Sequence, residues 1–391
     1  MILRSGLARV LVALAALCAL LLACSHSGEH PASAQPSTPE APADPAAPQT
    51  PAAAAVCGDV TQLPRREKLA QLLMVGVRDA GDARAAVTDH HVGGIFVGSW
   101  TDLSMLTDGS LNDITGAAGP WALAVSVDEE GGRVSRLSSL IGSSPSARVL
   151  AQTQTPDEVY GVALDRGHQM RDLGITVDFA PVVDLSDAGA DTVIGDRSFG
   201  SDPAAVAEFA GAYARGLHDA GVTPVFKHFP GHGHASGDSH TGGVSTPPLE
   251  QLEADDLVPY QSLVTQPGAA VMLGHMQVPG LTGDDPASLS PAAVNLLRTG
   301  GYGGPGFGGV VYTDDLSSMA AINSRYGVGE AVLRALQAGV DVALWVTTDE
   351  VPAVLDHLEQ AVDSGALSMQ AVDAAAGRVV AAKGPGPACT G

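Results

Sequence analysis

The 391 residues carry 20 Lys and Arg against 43 Asp and Glu, a formal net charge of −23, so the surface repels nucleic acid rather than gathering it. Hydrophobic residues make up 45% of the chain but aromatic residues only 4%, so a large interior must be built from Ala, Val, Leu and Ile. The length lies within the range that one α/β barrel uses and forces no split into domains.

In chain order, Arg4 and Arg9 precede the apolar run 10–23, which has the length of a secretory signal and is too short for a membrane span. The run ends Leu21-Leu22-Ala23-Cys24, which resembles the bacterial lipobox. Residues 1–23 are therefore expected to be a lipoprotein signal peptide, with Cys24 lipidated after cleavage. Residues 24–56, the lipidated Cys and an Ala/Pro-rich stretch without apolar periodicity, read as a disordered tether. The expected location is outside the cell's cytoplasmic membrane, on its outer face, with membrane contact through the lipid alone. With Cys18 lost and Cys24 acylated, Cys57 and Cys389 remain, one at each edge of the domain 57–391, and an oxidising compartment leads us to expect a disulfide between them.

Within 57–391, short apolar or β-branched runs alternate with helix-like stretches, the pattern of βα units on a parallel sheet. Eight runs are present, at 72–77, 94–97, 123–127, 176–183, 224–229, 270–274, 310–313 and 342–346. Eight is the number that a single (β/α)8 TIM-type barrel requires. Between them, segments such as 203–220 and 330–338 have helical apolar spacing and end close to Gly. His90 and His91, with Asp89, are expected to form a turn before the strand at Gly94. The glycines between 300 and 309 precede a strand rather than follow one, so the nucleotide-binding fingerprint is absent.

Polar residues gather at the carboxyl ends of these runs: Asp128, Asp184, Lys227 with His228, His275, and Asp314 with Asp315. In a barrel that end holds the chemistry. A single acid there is explained by a turn or a helix cap, but repetition at this many strand ends is not. The segment Lys227-His228-Phe229-Pro230-Gly231-His232-Gly233, followed by Asp238-Ser239-His240, places a Gly-rich loop between two polar clusters. Asp238 could orient His240 and stabilise its cation, which makes a general acid and base. His232, His234 and His240 also raise the question of zinc, but their spacing fits no standard zinc pattern and no Cys supports it, so no metal and no cofactor are expected.

The K-H-F-P-G-x-G element with its downstream D-S-H resembles the signature of bacterial β-N-acetylglucosaminidases of glycoside hydrolase family 3. Three further stretches are similar to elements of that family, in its order: residues 127–136 (VDEEGGRVSR), 196–203 (DRSFGSDP) and 313–316 (TDDL). The resemblance implies a retaining exo-β-N-acetylglucosaminidase acting on peptidoglycan fragments such as GlcNAc-MurNAc. It makes Asp314 the nucleophile and His240, oriented by Asp238, the acid/base, in place of the usual carboxylate pair. It also makes Asp128, Arg136, Arg197, Lys227 and His228 the sugar-binding residues. Asp315 is the better candidate for a helix cap, while Glu130 and Arg133 are expected to brace the turn at Gly131 and Gly132. The sequence departs from the family pattern at Glu129, where Gln is usual, and in placing Met319 one position late. A monomer is expected. Phosphorolysis of the same substrates and non-catalytic muropeptide binding are the competing readings, and a general β-glucosidase is disfavoured by the Lys-His element.

Overall fold

The eight apolar runs become the eight strands of a parallel barrel. They are β1 (Leu73–Val77), β2 (Gly94–Val97), β3 (Ala124–Val127), β4 (Val177–Asp178), β5 (Thr223–Phe229), β6 (Ala270–Leu273), β7 (Val311–Thr313) and β8 (Ala343–Trp345). Neighbours run β7-β6-β5-β4-β3-β2-β1-β8. Tyr312 bridges to Val342, and the Thr313 N–H donates to the Val342 carbonyl at 3.0 Å, which brings β8 back to β7. The architecture is the (β/α)8 barrel that the alternation of runs implies. This computed structural model describes residues 59–386 and Cys389, within the compact unit Gln49–Gly391. The expected signal peptide, Cys24, the linker and Cys57 lie outside the described residues; Cys389 is disulfide-bonded. Among the described residues no helix is long and apolar enough to cross a membrane.

The expected 176–183 strand is corrected to a two-residue β4. Pro181 has no N–H to give to a ladder, so regular pairing stops, yet the chain stays beside β5. The Val225 N–H donates to the Ala180 carbonyl (2.9 Å), and the Val183 N–H to that of Lys227 (2.7 Å). Asp184 is thereby delivered to the same end of the barrel as β5's last residues.

Helices form where the sequence supplies both an apolar face and a start signal. Pro156–Asp172 opens with Thr155 and Glu158 in a reciprocal capping box, and Pro203–Asp219 opens with Asp202 accepting from two backbone N–H groups, each with Pro at the first position. Val328–Ala338 closes on Gly339 at φ 100°, a conformation that glycine adopts without strain. The core is mostly Val, Leu, Ile and Ala, as the composition requires. The few aromatic rings bridge elements that are not sheet neighbours: Phe179 after β4 lies 5.8 Å from Phe96 on β2 and 5.5 Å, edge-on, from Tyr312 on β7.

Glu129, the departure from the family pattern, turns away from the barrel mouth. Its fully buried carboxylate accepts from Arg166 Nη2 (2.5 Å), Ser135 Oγ (2.5 Å) and the Leu137 N–H (2.8 Å). Arg166 also donates to the carbonyls of Ile141 and Gly142, so the pair ties the helix Pro156–Asp172 to the segment after β3. Removing one member of a buried pair strands the other charge, which costs about 3–5 kcal/mol. Arg166→Leu should therefore lower the thermal midpoint by several degrees, and Glu129→Leu added to it should recover part of the loss. Equal midpoints for wild type and Arg166→Leu would contradict this assignment.

Candidate active site

A cleft of about 260 Å³ opens at the carboxyl ends of the strands. Its lining includes Asp128, Arg136, Arg197, Lys227, His228, Asp238, His240 and Asp314, so the barrel brings together all eight residues that the sequence nominated for catalysis and binding. They come from the ends of β3, β5 and β7 and from the connecting segments after β3 (Arg136), β4 (Arg197) and β5 (Asp238 and His240).

On one wall the cations are already engaged. Lys227 Nζ, 3% exposed, lies 2.7 Å from Asp128 Oδ1 and 2.6 Å from Glu130 Oε1. Arg197 forms a fork with Glu130 through Nε (2.7 Å) and Nη2 (2.8 Å), and its Nη1 donates to the Val193 carbonyl. Glu130 is thus not simply a brace of the glycine turn: it joins the two cations, and this corrects the expectation. Burial opposes its ionisation, but the Arg197 and Lys227 charges hold its carboxyl well below the usual range. Burial likewise works against the Lys227 ammonium, and Asp128 and Glu130 more than offset it. One Lys227 proton and two Arg197 protons remain for a ligand. Arg136 is less committed: its Nη2 is 4.0 Å from Asp128 Oδ2, and its buried Nε makes no hydrogen bond. Arg133 braces the facing loop rather than its own turn, bonding Asp196 (2.9 Å) and the carbonyls of Thr192, Val193 and Ile194. The turn itself is fixed by Gly131 and Gly132, both at positive φ, where a Cβ would lie 2.3 Å from the Pro145 carbonyl oxygen and 2.6 Å from Ser146 Cβ.

Asp184 organises the opposite side. Its buried carboxylate accepts from His228 Nδ1 (2.7 Å), the His228 N–H (3.2 Å) and the His232 N–H (2.7 Å). Burial would raise its pKa, but the His228 charge and hydrogen bond carry it below the usual carboxylate value. With Nδ1–H donated to Asp184, His228 turns Nε2 to the cleft. Asp184 also holds the base of the loop 230–243, whose path is further fixed at Gly233, where a Cβ would meet the Leu185 carbonyl oxygen at 1.7 Å.

The loop tip carries the nominated acid/base. His240 Nδ1 lies 2.8 Å from Asp238 Oδ1, which also accepts the His240 N–H (3.0 Å). An ionised Asp238 can only accept, so Nδ1 carries the proton in this pair and Nε2 is left for the cleft. Burial works against the Asp238 charge, and the hydrogen bonds from His240 lower its pKa. The tip rests on the segment after β7, through the Ala321 N–H to Ser239 O (3.1 Å) and the Ala320 N–H to His240 O (3.4 Å). The three neighbouring histidines take separate partners: His232 faces Ser239, His234 bonds Asp256 (2.9 Å), and His240 bonds Asp238. Among the described residues no group of three or more His, Cys, Asp or Glu is arranged to hold a metal ion.

Asp314 ends β7. Its Oδ1 accepts the Asp315 N–H at 2.9 Å, while Oδ2 makes no hydrogen bond among the described residues. Burial alone would raise its pKa, but His228, His275, the Asp315 N–H and Lys227 hold it at about 2, so it is ionised at neutral pH. Asp315 takes a different part, accepting from the N–H and hydroxyl groups of Ser317 and Ser318 and thereby setting the turn behind Asp314. His275 donates from Nε2 to the Asp315 carbonyl (2.7 Å) and accepts at Nδ1 from Ser288 (2.7 Å), a buried support for the same turn whose pKa burial lowers.

Comparison with known proteins bears on the same segments. Residues 65–382 match the model of the glycosyl hydrolase family 3 N-terminal domain. The chain is 64% identical over 388 residues to a β-hexosaminidase, LpqI, of Mycobacterium tuberculosis, with 97% of this chain and 98% of that protein covered. Among solved structures, a family 3 glycosyl hydrolase from Mycobacterium smegmatis superposes with a TM-score of 0.83 at 76% identity, covering 84% of this chain and 99% of that one. A family 3 β-N-acetylglucosaminidase from a Paenibacillus species superposes with a TM-score of 0.76 at 34% identity, covering 82% of this chain and 62% of that one.

Proposed function

The chain belongs to glycosyl hydrolase family 3, and from that membership we propose that it is a retaining exo-β-N-acetylhexosaminidase that removes terminal β-linked N-acetylglucosamine from peptidoglycan fragments. The observation that carries this reading is the pairing, in one cleft, of an ionised carboxylate with one unbonded oxygen and an imidazole held by its own carboxylate. Asp314 Oδ2 attacks the anomeric carbon while His240 Nε2 gives its proton to the departing oxygen. The bond to the leaving sugar breaks and a glycosyl ester on Asp314 forms. Water then enters from the opposite face, His240 takes its proton, and the ester bond breaks with net retention. Asp238 stabilises the imidazolium whenever His240 is charged.

The binding wall supports an amino sugar. Asp128 accepts from hydroxyls, and the Arg136 Nε, unbonded in the structure, gains a partner when a hydroxyl or acetamido oxygen arrives. Lys227, Arg197 and His228 are held in place by Glu130 and Asp184 and supply the remaining donors. The enzyme acts as a monomer at the outer face of the cytoplasmic membrane, tethered through a lipid on Cys24; the lipobox-like residues 21–24 and the Ala/Pro-rich stretch behind them support this.

Incubation with purified muropeptides, read by mass spectrometry, tests the reading. Release of N-acetylglucosamine with the matching shortened muropeptide is expected, in phosphate buffer as in any other. Formation of the sugar 1-phosphate would replace hydrolysis by phosphorolysis, and saturable binding without release would leave a binding protein.

A further inference from the structure

A second cavity lies apart from the catalytic cleft and exceeds it in volume. It lies at the opposite, amino-terminal mouth of the barrel, where the first residues of the strands converge, and its volume is about 590 Å³ against 260 Å³ for the cleft. That volume is within the range of small-molecule sites, about 300–1,000 Å³. Its wall is mainly apolar, with Met74, Val177, Tyr312 and Phe307 among the lining side chains. Among these, Tyr312 meets Phe179 edge-on at 5.5 Å.

The charge of this cavity is opposite to that of the protein. Every charged residue lining it is a cation, Arg171, Arg378 or Lys383, in a chain whose formal net charge is −23. Arg378 is answered by the buried Asp341 (2.8 Å). The other two have no carboxylate within 4 Å among the described residues: Arg171 donates to the Ile175 carbonyl (3.2 Å), and Lys383 Nζ to Gln71 Oε1 (2.7 Å) and the Gly93 carbonyl (3.0 Å). Neutral oxygens solvate an ammonium but do not neutralise it, and burial pushes Lys383 down to about 7.

We infer that the amino-terminal mouth of the barrel is a second ligand site, which takes an amphiphilic anion with its acidic head on Lys383 and its apolar body against the barrel's lower side chains. The head supplies the counter-charge that the fold withholds from Lys383, and the body covers apolar surface that the strand ends leave open. The site is separate from the sugar cleft and shares no lining residue with it.

The test is calorimetric titration of the full chain with decanoate, kept below the concentration at which it forms micelles. Saturable binding at one equivalent per chain is expected, undiminished by Asp314→Ala and by saturating N-acetylglucosamine. Lys383→Met should weaken it at least about tenfold, the scale of a lost charge-assisted hydrogen bond, while Lys383→Arg retains it and shows that the mouth still folds. Inorganic phosphate should bind at least about tenfold more weakly than decanoate, because the walls then contribute nothing. Equal affinity for decanoate in Lys383→Met and wild type, competition by N-acetylglucosamine, or no saturable binding would each overturn the inference, and phosphate binding as tightly as decanoate would overturn its amphiphilic part. A failure here leaves the sugar cleft untouched, since hydrolysis is measured separately.

Discussion

Asp314→Ala is expected to lower kcat on an aryl β-N-acetylglucosaminide by at least about 10⁴-fold with little change in KM, because the covalent step loses its nucleophile while the binding wall stays whole. The fold should survive. The change removes one acceptor for the Asp315 N–H, worth about 1 kcal/mol, and Asp315 keeps its own turn through Ser317 and Ser318. Added azide supplies a small replacement nucleophile and should give the α-glycosyl azide, the inverted product of a single displacement. Because Asp314 is held at about 2, its protonation should not limit the wild-type rate until the pH falls to about 3. Near-wild-type turnover in Asp314→Ala, with an unchanged melting profile, would move the nucleophile elsewhere.

His240→Ala should cost about 10²–10⁴-fold in kcat, the range for loss of a positioned acid/base. The loss should be unequal between substrates. An aryl leaving group needs little protonation, so its first step suffers less than that of a disaccharide, whose departing sugar oxygen depends on the imidazole proton. Azide should again rescue, but now by intercepting the glycosyl ester from the opposite face, which gives the β-glycosyl azide. The two variants thus produce opposite anomers from one added nucleophile, and the same anomer from both would show that the two residues do not act in the two steps assigned to them. His240 is the most exposed residue of the site, with 62% of its side chain accessible, so its truncation opens no core cavity and stability should change little.

The barrel was legible because its strands are short apolar runs with polar residues at or just past their ends, and because some of the helices between them carry their own start signal, as Thr155 with Glu158 and Asp202 with Pro203 do. The eight nominated site residues share one cleft because closure of the sheet gathers strand ends that are distant in sequence. What the sequence could not show are the contacts that closure creates. Glu130 meets Arg197 across 67 positions and Arg166 meets Glu129 across 37, pairings that no local spacing encodes. Asp184 stood out as a strand-end acid, yet its grip on His228 and His232 depends on the chain running beside β5 beyond Pro181. The amino-terminal cavity left no motif at all. It is made from the first residues of many strands and from a lysine at the end of the helix Met369–Lys383.

The central claim, a covalent sugar ester on Asp314, is tested most directly by trapping. A 5-fluoro-N-acetylglucosaminyl fluoride has an activated leaving group and a fluorine that slows both steps, so the ester should accumulate. Proteolysis and tandem mass spectrometry should then find one fluorosugar per chain, on the peptide that contains Asp314 and attached at that carboxylate. A fluorosugar on any other residue, or turnover of an aryl glycoside to the inverted sugar with no labelled peptide, would contradict the account.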